Sequence, residues 1–374
     1  MNVFDYLSWR GDVPLSISPF NPVDSLVLAE LSYTDFSGIL SPDGEPVSLA
    51  SACAAFFATR DRAEVAARKS YTARAPLLMD FMLAGARFRD VRLCRYRTVN
   101  DYAEATQFAA LTLLLPDGTA FVAFRGTDGT VLGWKEDMEM SYHSHSKGQV
   151  CAAEYLTGVG QALSCPLRVG GHSKGGNLAV YSAAFCDPAV QARITDVYTL
   201  DGPGFHDDVR AEAGYRAVMD RTHAVIPDTS IIGLLLAIDC PHRVVRSDAS
   251  GIVQHDGFSW QVGPTDFEPA PLSRMGEFME NTISTWVSRQ DGETLRSMVD
   301  SIFSVLETPG EDSFLAMRRQ KRKTAELIMA GIRALPREKQ HELLQAAGKL
   351  VASGGTGLRE TFLPGAEAEH KPEE

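Results

Sequence analysis

Five residues, Gly171-His172-Ser173-Lys174-Gly175, constrain this chain more than any other stretch. A short apolar run from Leu167 leads into them, and a small-residue segment ending at Val180 leads out. The pattern reads as strand, turn and helix, with G-x-S-x-G at the turn. So tight a turn admits only small residues at its flanks, here Gly171 and Gly175. It lifts the Ser173 hydroxyl clear of the sheet and sets it at a helix N-terminus, where free N–H groups and the positive dipole end favour a developing anion. Gly175 and Gly176 let the new helix lie close to the sheet. A glycine-rich turn in which Ser173 merely caps a helix has the same five letters. The flanking strand and helix favour the nucleophile elbow.

A turn of this kind needs a parallel sheet around it, and the chain supplies the strands. Residues 106–115 and 119–124 are strongly apolar and are joined by Pro116-Asp117-Gly118, a turn signal. Further strands are expected at 196–200, 222–226 and 242–245, with an edge strand at 88–96. A helix is expected over 150–163, where Val150, Ala153, Leu156, Val159 and Leu163 fall near helical spacing. Residues 1–30 read as an irregular arm followed by a short helix, and the Ala-rich 48–87 as helices. Such alternation predicts an α/β-hydrolase fold with a mainly parallel central sheet and helices on both faces. With 44% of its 374 residues apolar, the chain can build that core. The expected organisation is a core over 1–270 with the N-terminal arm, a C-terminal helical extension over 271–352, and a disordered tail over 353–374.

The remaining features exclude more than they add. A formal net charge of −12 argues against nucleic acid as a partner. The six cysteines form no C-x-x-C pair, so neither a zinc cluster nor a redox motif is indicated. His143 and His145 make an H-x-H pair, but with no carboxylate or cysteine at ligand spacing no metal is expected there. The glycine-rich turn with Lys174 is no phosphate loop, because no Ser or Thr follows the lysine. The N-terminus has no cationic start ahead of a long apolar run, and no stretch approaches 18 apolar residues. A cytoplasmic location is expected. A basic run, Met317 to Lys323, reads as a solvated helix face, with peripheral contact to an anionic membrane as the sharper option.

A serine hydroxyl is a poor nucleophile unless a base takes its proton and a third group orients the base. In α/β-hydrolases the chain order is Ser, then acid, then His. His255 lies in a loop after the last strand and is the expected base; His206 comes early for that role. Asp228 follows the second strand beyond the elbow, and chain order favours it as the acid. Asp201, after the first such strand, is the rival, although Asp201-Gly202-Pro203-Gly204 also reads as a turn former. The oxyanion hole needs two N–H donors. One is expected from Lys174 and the other from Thr127, whose hydroxyl could bind the same oxygen, with Gly126 supplying the tight turn. The Lys174 side chain is expected to reach solvent.

Two pieces resemble class 3 (fungal-type) lipases: Phe124-Arg125-Gly126-Thr127 followed by Trp134, and the Gly-His-Ser-x-Gly-Gly elbow. The chain is more closely similar to a bacterial family of that superfamily to which no function is assigned. The shared parts are the Gly-His-Ser-Lys-Gly-Gly-Asn elbow, the segment Asp201 to Phe205, and the loop Gln254-His255-Asp256. The resemblance implies a Ser173, Asp228 and His255 triad, oxyanion donors at Thr127 and Lys174, and ester hydrolysis without metal or organic cofactor. Residues 131–148 would be the lid. Their polar middle fits adsorption to oil poorly and favours a small ester or a phospholipid as substrate. Two other readings stay open: a thioesterase or peptidase with the same machinery, and a non-catalytic binding protein on a hydrolase scaffold.

Overall fold

The computed structural model describes residues 1–68, 71–101, 106–128, 136, 137, 140, 143–230, 232–274, 276–278 and 337. Half of the expected lid, the basic run, most of the C-terminal helical extension and the tail lie outside the described residues.

Among the described residues, eight strands form one sheet in chain order. They are β1 (Val47–Ser48), β2 (Arg92–Asp101), β3 (Thr106–Leu114), β4 (Ala120–Phe124), β5 (Leu167–His172), β6 (Ile194–Leu200), β7 (Thr222–Pro227) and β8 (His242–Val245). Pairing is antiparallel from β1 to β4 and parallel from β4 to β8. This is an α/β-hydrolase fold with an antiparallel margin. The β3–β4 pair of that margin follows from the Pro116-Asp117-Gly118 turn, because two strands so closely linked must run in opposite directions. The strand expected at the edge is second in the sheet, since Val47 pairs outside Leu93.

Side chains alternate between two cores, one on each face. On β4, Phe121 and Ala123 pack with the N-terminal helices. Ala120, Val122 and Phe124 pack instead with helices Lys147–Ala162 and Lys174–Phe185. Apolar burial on both sides explains why β3 and β4 lack the polar alternation of a half-exposed strand.

The N-terminal arm is more ordered than its prolines suggest. Asn2 and Asp5 make a capping box that starts helix Val3–Arg10. Asn21 and Asp24 make another for helix Pro22–Leu31. Asp24 also pairs with Arg87, and both side chains are fully buried. The Tyr6 hydroxyl donates to Asp24 Oδ1 at 2.8 Å, and Arg87 donates to the Val13 and Ser18 carbonyls at 3.1 and 3.0 Å. This hub clamps the arm onto the sheet.

Parallel pairing from β4 to β8 brings the C-terminal ends of five strands to one rim. Phe124 stands beside Gly171, His172 beside Leu200, Leu200 beside Val225, and Pro227 beside Val245. The functional candidates come from the loops on that rim.

Candidate active site

The elbow forms as the sequence requires. Ser173 sits between β5 and helix Lys174–Phe185 with φ 58° and ψ −134°, a left-handed conformation that costs a non-glycine residue of order 1–3 kcal/mol. The turn is held from both sides: Ser173 N–H donates to Leu200 O at 2.9 Å, and Gly176 N–H donates to Ser173 O at 2.8 Å. A Cβ at Gly171 would overlap the Gly175 backbone, and one at Gly175 would overlap the Phe124 carbonyl. Close backbone approach therefore dictates both glycines.

Ser173 Oγ lies 2.9 Å from His255 Nε2, and His255 Nδ1 lies 2.6 Å from Asp201 Oδ2. The carboxylate on His255 is thus Asp201, and the expectation of Asp228 is corrected. Asp201 ends β6, the strand directly beside β5, whereas Asp228 ends β7, one strand further out. Neighbouring strands are about 4.8 Å apart, so Asp201 starts one strand spacing nearer the elbow than Asp228. Asp228 Oδ1 instead accepts from Thr229 Oγ1 at 2.9 Å and from Gln254 Nε2 at 3.0 Å, bracing the loop just before His255.

Asp201 is 1% exposed and has φ 51°. Its Oδ1 accepts from the Ser230 hydroxyl and from Gly233 N–H, the latter at 3.0 Å. Burial alone would raise its pKa. The hydrogen bond and charge of His255, with the Ser230 hydroxyl, outweigh burial and hold the carboxyl below its ordinary value. The Asp201-Gly202-Pro203-Gly204 loop is fastened to the elbow helix by Asn177, whose Nδ2 donates to Pro203 and Gly204 carbonyls at 3.2 and 3.0 Å.

His172 supports the base from behind. Its Nε2–H donates to the His255 main-chain carbonyl at 2.7 Å, so its Nδ1 is free to accept from the Tyr33 hydroxyl at 3.0 Å. Burial, and then the proximity of His255, push its pKa down to about 3, which keeps it neutral near pH 7. Trp260 closes the same loop, donating from Nε1 to Gln254 O at 2.8 Å.

The loop after β4 lies close against the elbow. A Cβ on Gly126 would strike Tyr33 Oη and His172 O and reach Ser173 Cβ at 3.0 Å. Thr127 follows directly. Its hydroxyl donates to Asp137 Oδ2 at 2.5 Å, which commits that hydrogen. Burial pushes Asp137 up to about 6, against the pull of Lys174. The Lys174 main-chain N–H heads the elbow helix, where no intrahelical acceptor exists for it.

A profile of the Mbeg1-like family matches residues 82–304, more than half of the chain. The chain belongs to the Mbeg1-like family. This Mbeg1-like chain is also similar in structure to Rhizomucor miehei lipase in its native propeptide complex. The TM-score is 0.35 at 14% identity, over 65% of this chain and 79% of that one. M37 lipase gives a TM-score of 0.36 at 16% identity, over 56% and 69%. Likeness at this level says nothing of activity. No curated protein matches the chain.

The other candidates of the Mbeg1-like chain lie away from this group. His206 Nε2 donates to Met140 O at 2.9 Å. His145 bonds Tyr181 Oη at 2.7 Å. The Lys174 side chain, expected in solvent, is 1% exposed. Its Nζ lies 2.6 Å from Glu136 Oε2 and 2.8 Å from Gln107 O. Among the described residues no cluster of three metal-ligating side chains occurs, and no helix is long and apolar enough to cross a membrane. Sequence reasoning missed Gln254, Trp260, Asn177 and the roles of His172 and Tyr33, all of which act on the loops rather than on Ser173 itself. The Gly-Gly-Asn ending of the elbow was the signal for Asn177.

Proposed function

We propose that this Mbeg1-like chain is a serine hydrolase of carboxylic esters. The observation that carries the reading is the unbroken hydrogen-bonded chain from Ser173 Oγ through His255 to Asp201.

The Asp201 carboxylate fixes the His255 tautomer with hydrogen on Nδ1, which leaves the Nε2 lone pair facing Ser173. As Oγ attacks the ester carbonyl, Nε2 takes its proton and then delivers it to the leaving alcohol. Water next adds to the acyl-enzyme by the same route, with His255 as base. The tetrahedral oxyanion accepts from the main-chain N–H groups of Lys174 and Thr127. Each such donor contributes about 2.7–4 kcal/mol of transition-state stabilisation. His172 stays neutral beside the base, so no second cation opposes the imidazolium as it forms.

A panel of p-nitrophenyl esters, acyl-CoAs and phospholipid vesicles tests the reading with purified protein. Ester turnover lost in Ser173→Ala supports it. No turnover of any ester by the wild type overturns it. Turnover confined to the acyl-CoAs replaces it with a thioesterase.

A further inference from the structure

We propose that Lys174 is a positioning residue: through a buried ion pair with Glu136 it holds the Thr127 loop in register with Ser173. The inference rests on the hydrolase reading and deepens it.

Lys174 stands where a cation is electrostatically misplaced. It is the first residue of the elbow helix, at the positive end of the dipole, and it is almost fully buried. A lysine is kept out of water only when its charge is answered. Glu136, also buried, answers it with Oε2 at 2.6 Å, and Gln107 O completes the cradle at 2.8 Å.

The pair reaches the donor loop by two routes. Along the first, Asp137 adjoins Glu136 in the chain and accepts the Thr127 hydroxyl at 2.5 Å. Its other oxygen, Oδ1, stands 4.0 Å from Lys174 Nζ. Along the second, Glu136 Oε2 accepts Gln107 N–H at 2.9 Å, which fixes the start of β3. The Gln107 side chain then donates from Nε2 to Asp128 Oδ1 at 2.7 Å. Thr127 and Asp128 are consecutive, so the loop is gripped at two points that both trace to one ammonium. The same lysine whose main-chain N–H heads the elbow helix thereby ties down the partner donor. Loss of the cation leaves Glu136 as an unanswered buried charge, which frees Asp137 and then Thr127.

The test uses the full chain and p-nitrophenyl butyrate. The double substitution Lys174→Met with Glu136→Gln removes both charges while keeping an acceptor for Gln107 N–H, and Lys174→Arg is the conservative variant. We expect kcat to fall about 10–100-fold in the double variant, part of the loss known for one oxyanion donor, with KM within about threefold. Adding Thr127→Ala to the double variant should lower kcat little beyond Thr127→Ala alone, because both act on one loop. Lys174→Arg should recover part of kcat. Hydrogen exchange of residues 125–128, which should quicken in the double variant, reads the clamp without turnover. A lowered melting temperature with unchanged kcat and unchanged exchange overturns the proposal. An inactive wild type with quickened exchange in the variant overturns the hydrolase reading instead and leaves the clamp as a purely structural device.

Discussion

Asp201 Oδ2 lies 2.6 Å from His255 Nδ1, although 54 residues separate the two in the chain. The carboxylate is held by Ser230 and Gly233 and kept ionised by its partners, so it can do little but orient the ring. Substituting Asp201→Asn should therefore lower kcat by about 10³–10⁴-fold, as loss of the orienting acid does in serine hydrolases. Asp228→Asn should cost less than about tenfold, since the Asp228 carboxylate accepts from Thr229 and Gln254 rather than from His255. Steady-state rates of the two variants on one p-nitrophenyl ester decide between them, and equal losses contradict the assignment.

The elbow stores strain at Ser173, with φ 58°. Glycine adopts this conformation without penalty, but gains freedom in the unfolded chain worth about 0.4–1 kcal/mol. Strain of order 1–3 kcal/mol outweighs that gain. Ser173→Gly should accordingly be more stable to urea than Ser173→Ala. The reverse order would mean that the turn is relaxed in solution.

His172 makes stability depend on pH. Its folded pKa is about 3, below the ordinary histidine value of 6.5. Between these values the unfolded chain binds a proton that the fold excludes, so its contribution to stability is lost as pH falls from about 6.5 towards 3. The slope for one proton is at most about 1.4 kcal/mol per pH unit. Asp137 works in the opposite sense: its raised pKa of about 6 favours the fold as pH falls from 6 towards 3.8. The His172 contribution is therefore isolated by difference. Urea midpoints at pH 7, 6 and 5 should fall less steeply in His172→Gln than in the wild type. Parallel lines would show that His172 is not held neutral.

The arm depends on one buried ion pair. Arg87→Met leaves Asp24 charged in a fully buried place, and breaking such a pair costs about 3–5 kcal/mol. Adding Asp24→Asn should recover part of that loss. Chemical denaturation of both variants checks this, and no recovery would mean that the arginine's packing matters more than its charge.

The elbow, the strands from 106 to 245 and the choice of His255 were legible because each depends on local pattern and chain order. The acid was not. Chain order favours Asp228, after the second strand beyond the elbow, whereas the structure sets Asp201, after the strand paired directly with β5, on His255. Lys174 was misjudged because a lysine carries no local sign of its answering charge, and Glu136 lies 38 residues away. The first helix was hidden by Pro14 and Pro19, although the Asn2 and Asp5 spacing gave the capping box away. His172 and Tyr33 escaped notice because what they hold is a main-chain carbonyl, and no residue identity records that.

The most direct test of the account is intact-protein mass spectrometry after exposure to a fluorophosphonate, with peptide mapping of the adduct. The wild type should gain one phosphonyl group on Ser173, Asp228→Asn should label at close to the wild-type rate, Asp201→Asn far more slowly, and Ser173→Ala not at all. A folded wild type that gains no mass, or an adduct that persists in Ser173→Ala, would contradict it.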